Sequence, residues 1–82
     1  MEYFLTNHAQ IRADERSISA AAIKDALVNP TKVLYDNEGK LLIKKLYRNN
    51  GKERLLLIIG IKLVNKLKII TIIDTSKVDK YL

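Results

Sequence analysis

Two strand-length apolar runs in the second half of the chain constrain its folding most. Leu55-Leu56-Leu57-Ile58-Ile59-Gly60-Ile61 lies within the stretch Glu53 to Ile61, and Ile69-Ile70-Thr71-Ile72-Ile73 within Leu67 to Asp74. Successive side chains of a strand point to opposite faces of a sheet. A run without polar alternation therefore buries both faces and reads as a central strand. The rest of the chain has to supply the cover and the neighbouring strands.

Its means of doing so are few. The 82 residues suffice for one domain, 1–82, because two cores of half that size would each be too small to stand alone. With no cysteine and one histidine, neither disulfides nor a structural zinc site can brace the fold. No metal or cofactor is expected: the carboxylates lack metal-binding spacing and no glycine-rich loop follows a strand. The longest apolar run falls far short of the ~20 residues that cross a bilayer. Met1-Glu2-Tyr3-Phe4-Leu5 has neither the basic start nor the apolar stretch of a signal peptide, so the expected setting is the cytoplasm.

Local signals divide the chain further. Met1 to Leu5 suits a short opening strand. Thr6 or Asn7 can cap a helix over about Asn7 to Arg16 by accepting from its first free N–H groups. Ser19 caps a second helix, Ala20 to Val28. There Ile18 and Ile23 have staple spacing, and Ile23, Ala26 and Leu27 share a face. Asn29-Pro30 ends it, since the residue before proline is pushed out of the α region. Lys32 to Asp36 reads as a strand closed by the turn Asn37-Glu38-Gly39, and Leu41 to Arg48 as another. Asn49-Asn50-Gly51 marks a hairpin, because Asn and Gly tolerate the positive φ such turns need. The polar stretch Lys62 to Lys66 joins the two apolar runs, and the tail Ser76 to Leu82 is short and mixed. The expected fold is α+β: two short N-terminal helices packed on a curved, mainly antiparallel sheet of about four strands.

Fifteen Lys+Arg against nine Asp+Glu give a formal charge of +6, which favours polyanionic partners. His8, Arg12 and Arg16 recur every four residues and stay within a sector of roughly 80° on a helix. One imidazole and two planar guanidiniums in a ladder suit a phosphate. Ile11 lies on one side of the ladder and Ala9 and Ala13 on the other, which points this face toward the sheet or a groove at its edge. The plainer alternative pairs Arg12 with Glu15, or with Glu53 or Asp74 from the sheet. Around the hairpin, Lys44, Lys45, Arg48, Lys52 and Arg54 form a basic strip. Arg48, Lys52 and Arg54 are its candidate nucleic-acid contacts, against the alternative of a solvated rim. Ser17, Ser19 and Ser76 have no nucleophile context and suit caps and turns.

The segment His8-Ala9-Gln10-Ile11-Arg12-Ala13-Asp14-Glu15-Arg16-Ser17-Ile18-Ser19, preceded by Thr6-Asn7 and followed by an apolar helix, Asn29-Pro30 and Val33, resembles the family called domain of unknown function 4258. That family is grouped with the RelE/ParE-like toxin superfamily. The likeness covers about Thr6 to Val33, with Ser17 where the family often has glycine. It implies a RelE-like fold and relatives that cleave messenger RNA, often on the ribosome, and are silenced by a small antitoxin; other relatives poison gyrase.

Metal-free RNA cleavage needs a base for the 2′-OH, charge stabilisation at the phosphorane and an acid for the leaving oxygen. Histidine is the side-chain type suited to proton transfer near neutrality, which makes His8 the candidate acid or base. Arg12 and Arg16 would stabilise the phosphate charge, with Tyr81 or a lysine as the second proton-transfer group. Two other readings stand beside this one. One is a non-catalytic nucleic-acid- or ribosome-binding module. The other is a protein-interaction module with a structural ladder, whose partner can be a second copy of the chain.

Overall fold

In a computed structural model that describes residues 2–82, the chain runs β1 (Glu2–Leu5), α1 (Asn7–Glu15), α2 (Ala20–Val28), β2 (Lys32–Tyr35), β3 (Lys40–Asn49), β4 (Lys52–Lys62), β5 (Lys66–Thr75) and α3 (Val78–Tyr81). Thr6 starts α1 from extended backbone, its hydroxyl accepting from the Ala9 N–H at 3.1 Å. The same hydroxyl donates to the Ile70 carbonyl, and the Thr6 N–H to that of Ile69, so the cap also fastens the helix to β5. At the other end Ser17 takes φ +55°, its N–H donating to Asp14 and that of Ile18 to Ala13. This is a Schellman turn with serine at the position that glycine usually holds. Ser19 caps α2 by accepting from the Ala22 N–H, and Asn50 and Gly51, both at positive φ, close the β3–β4 hairpin.

The expected architecture does not hold. The sheet has five strands in the order β1-β5-β4-β3-β2 and is mixed: β1 runs parallel to β5, the other pairs antiparallel. It dominates the chain, and among the described residues the helices number three rather than two N-terminal ones. The reason is physical. β1 pairs with a strand at the far end of the sequence, and four edge residues carry no local mark of that partner. The tail is a single helical turn, too short for periodicity to show. The Met1 part of the expected opening strand lies outside the described residues.

Strand parity explains the two faces. Leu41, Ile43, Leu56, Ile58, Ile69 and Ile72 form one face and bury Ala9, Ala13, Ile23 and Ala26 of α1 and α2. The alanines let α1 lie close to β5. Among the described residues Leu55, Ile58, Ile69 and Ile72 are the largest fully buried side chains, each contributing about 1.5–3 kcal/mol. Leu55 serves the opposite face, on which the tail folds back and Lys44 donates to the Tyr81 carbonyl. At the register shift between Ile59 and Gly60, a Cβ on Gly60 would stand 3.0 Å from the Lys68 carbonyl oxygen. Glycine therefore permits the close approach of β4 and β5 there.

Candidate functional site

The α1–α2 turn overhangs the hairpin end of the sheet and leaves a cleft of about 310 Å³. Arg16, Ser17, Ile18 and Ser19 line it from the turn, Ala22 and Asp25 from α2, and Lys45, Tyr47, Arg48 and Asn49 from β3. Leu56 and Asp74 complete the floor. The Asp74 side chain is 10% exposed. It accepts from the Tyr47 hydroxyl at 2.5 Å and from Arg54 Nε at 3.0 and 3.2 Å, and Arg54 Nη2 lies 2.9 Å from its Oδ2. One carboxylate thus joins β3, β4 and β5. Lys45 makes the second link, standing 3.6 Å from Asp25 and donating to the Asn29 carbonyl at 2.7 Å, which ties α2 to β3.

These contacts set the electrostatics. Each acid of the cleft is answered by a cation of the fold, Asp74 by Arg54 and Asp25 by Lys45. Arg16 and Arg48 line the same cleft, and among the described residues neither takes part in an ion pair; the Arg48 Nη1 donates to the Gly51 carbonyl at the rim. The surplus of charge at the cleft is therefore positive. Burial pushes the Tyr47 phenol up, and the Asp74 hydrogen bond and charge push it further, with Arg54 opposing. Asp74 likewise holds the Arg54 guanidinium above its ordinary range. Tyr47 consequently remains a protonated donor.

That shift has a consequence for stability. A phenol whose folded value lies above its ordinary 10.0 contributes fully below that pH, and the contribution is lost as pH rises through the folded value. Urea midpoints followed from neutral to strongly alkaline pH should fall more steeply for the native chain than for Tyr47→Phe. Parallel curves would mean that the Tyr47–Asp74 contact does not resist ionisation.

The structure divides the residues singled out in the sequence. Arg16 and Arg48 line the cleft, and Arg54 braces its floor through Asp74. His8 and Arg12 stand on the exposed side of α1, and Lys52 lies beyond the cleft on the hairpin, opposite Asn49. The expected orientation of the ladder is corrected: Ala9 and Ala13 face the sheet, while Ile11 is 56% exposed. Arg12 takes the plainer option, 3.6 Å from Glu15, and Asp74 pairs with Arg54 instead. Of the other cleft groups, Lys45 belongs to the expected basic strip and Asp74 to the expected alternatives for pairing Arg12, whereas Tyr47 and Asp25 carried no expected role. The available signal was Asp74 itself, a carboxylate closing an apolar strand and in need of a buried partner.

Comparison of the chain with protein-family models, with curated proteins and with solved structures finds no match.

Proposed function

We propose that this chain is a toxin-like, RNA-directed protein that holds RNA phosphate at the cleft between the α1–α2 turn and the β3–β4 hairpin. The observation that carries this reading is the pairing within the cleft. Its two acids are neutralised from inside, and Arg16 and Arg48 remain for an anion. The formal charge of +6 and the likeness of Thr6 to Val33 to a toxin-related family support the same class of partner, in a cytoplasmic setting.

The test is binding of labelled single-stranded RNA across a salt titration. Each phosphate contact contributes about −0.7 to the slope of log K against log salt. Arg16→Ala combined with Arg48→Ala should weaken binding to all sequences alike and flatten that slope by about 1.4. An unchanged slope would remove the cleft from RNA recognition.

Cleavage is the catalytic form of this reading, and the exposure of His8 on the helix that Arg16 caps at its C-terminus favours it. An RNA threading the cleft can run on along α1, where His8 lies two turns, roughly 12 Å, from Arg16. In the presence of EDTA, His8→Ala should stop cleavage while RNA affinity is retained. Cleavage by that variant at the native rate would take His8 out of the chemistry.

A further inference from the structure

The sheet face opposite α1 and α2 is only half covered. Beyond Thr75 the chain turns back across it, α3 resting on β4 and the Lys44 ammonium donating to the Tyr81 carbonyl. Lys32 reaches the Leu82 carbonyl at 3.4 Å, so this strap crosses the strands from β5 toward β2. Leu55 and Leu57 on this face are buried.

Beside the strap the face stays open. The register sets Leu34 against Leu42 and Leu42 against Ile59, giving an apolar row across three strands. Leu34, Leu42 and Ile59 line a shallow depression of about 290 Å³. Ile73, opposite Leu57 on β4, flanks the row, and Leu34 and Ile73 are each 42% exposed. Two residues further along the strands, Lys40 pairs with Ile61 and Ile61 with Lys68, so two lysines with Ile61 between them border the trough on the side away from α3. The carboxylate of nearby Asp36 is engaged by the N–H groups of Glu38 and Lys40.

We infer that this trough seats an acidic amphipathic helix of a partner protein, laid beside α3. The geometry gives three reasons. Packed helices lie about 8–10 Å apart. Strands advance about 3.4 Å per residue, so a helix at that distance from α3 centres near the Ile59 row and sets its far flank over Lys40 and Lys68. Its apolar face then covers Leu34, Leu42, Ile59 and Ile73, and glutamates or aspartates on its flank meet the lysines. A second copy of this chain is a poor occupant, because face-to-face pairing would bring Lys40 and Lys68 of both copies into one interface with no acidic partner. The inference is independent of the RNA reading, which concerns the other face of the sheet.

The probe is a synthetic amphipathic helix with leucines on one face and glutamates along its flanks, beside a version with lysines in place of the glutamates. Binding is read by fluorescence anisotropy and placed on the fold by methyl NMR. The glutamate peptide should bind about tenfold tighter than the lysine peptide, a 1.4 kcal/mol preference. It should shift the methyls of Leu34, Leu42, Ile59 and Ile73. Lys40→Glu at an exposed position combined with Lys68→Glu at a half-buried one, with folding checked by circular dichroism, should reverse the preference. Arg16→Ala with Arg48→Ala should leave it unchanged. The inference falls if the glutamate peptide fails to bind or binds no better than the lysine peptide. It falls equally if the shifts map to the Arg16–Arg48 cleft, if sedimentation shows dimers closed by this face, or if anionic phospholipid vesicles show the same lysine-dependent binding in place of the peptide.

Discussion

Ile58→Ala is expected to cost about 2–5 kcal/mol, which brings a domain of this size close to unfolding at ordinary temperatures. Ile58 is wholly buried in β4 and faces Ile43 of β3 and Ile72 of β5 in register. Backbone ladders hold it on both sides and the helices cover it, so the walls of the cavity left by the truncation have little freedom to collapse. The melting temperature should fall by roughly 4–8 °C for each kcal/mol lost. Val64, 96% exposed in the β4–β5 turn, is the control, and Val64→Ala should change stability by less than about 0.5 kcal/mol. Chemical denaturation of the two variants decides the matter. A loss below about 1 kcal/mol at Ile58 would mean that α1 and α2 resettle onto the sheet, and that the layer holding the cleft is softer than its packing indicates.

Much of the fold was legible locally, and the cause lies in short-range chemistry. Ser19 and Asn29-Pro30 delimit α2 over Ala20–Val28, the span read from capping and from the proline restriction. Asn50 and Gly51 occupy the positive-φ turn that their residue types allow. The apolar runs became β4 and β5, central strands flanked on both sides. What escaped was long-range. The parallel pairing of Glu2–Leu5 with Lys66–Ile69 depends on sequence separation, not on composition. The same holds for the site. Helical spacing put His8, Arg12 and Arg16 on one side of α1, and the apolar flanks pointed that side toward the sheet, whereas His8, Arg12 and Ile11 are exposed. The small residues Ala9 and Ala13 decided the orientation, because only they let the helix approach β5 closely. Tyr47, Arg54 and Asp74 come from three strands, and their meeting follows from a register that no local pattern displays.

Asp74→Ala gives the second large expected effect, and its two readouts separate electrostatics from positioning. The substitution leaves the Tyr47 hydroxyl without its acceptor, at a cost of about 1–2 kcal/mol, and frees Arg54 from the carboxylate that holds it between strands. The melting temperature should drop accordingly, and Asp74→Asn, which keeps an acceptor, should recover part of the loss. RNA affinity offers the sharper distinction. Removing one carboxylate raises the formal charge from +6 to +7, so charge alone predicts tighter binding. In the proposed cleft, Asp74 acts instead as a positioning residue: it orients the Tyr47 donor and keeps Arg54 from collapsing across the floor. Affinity is then expected to fall about tenfold, a difference of 1.4 kcal/mol, at a temperature where circular dichroism shows the variant folded. Tighter binding by the folded variant would reduce RNA recognition to net charge and leave the Tyr47–Asp74–Arg54 network as a clamp between strands. Weaker binding despite the added positive charge has no explanation in bulk electrostatics and requires a cleft whose groups are held in place.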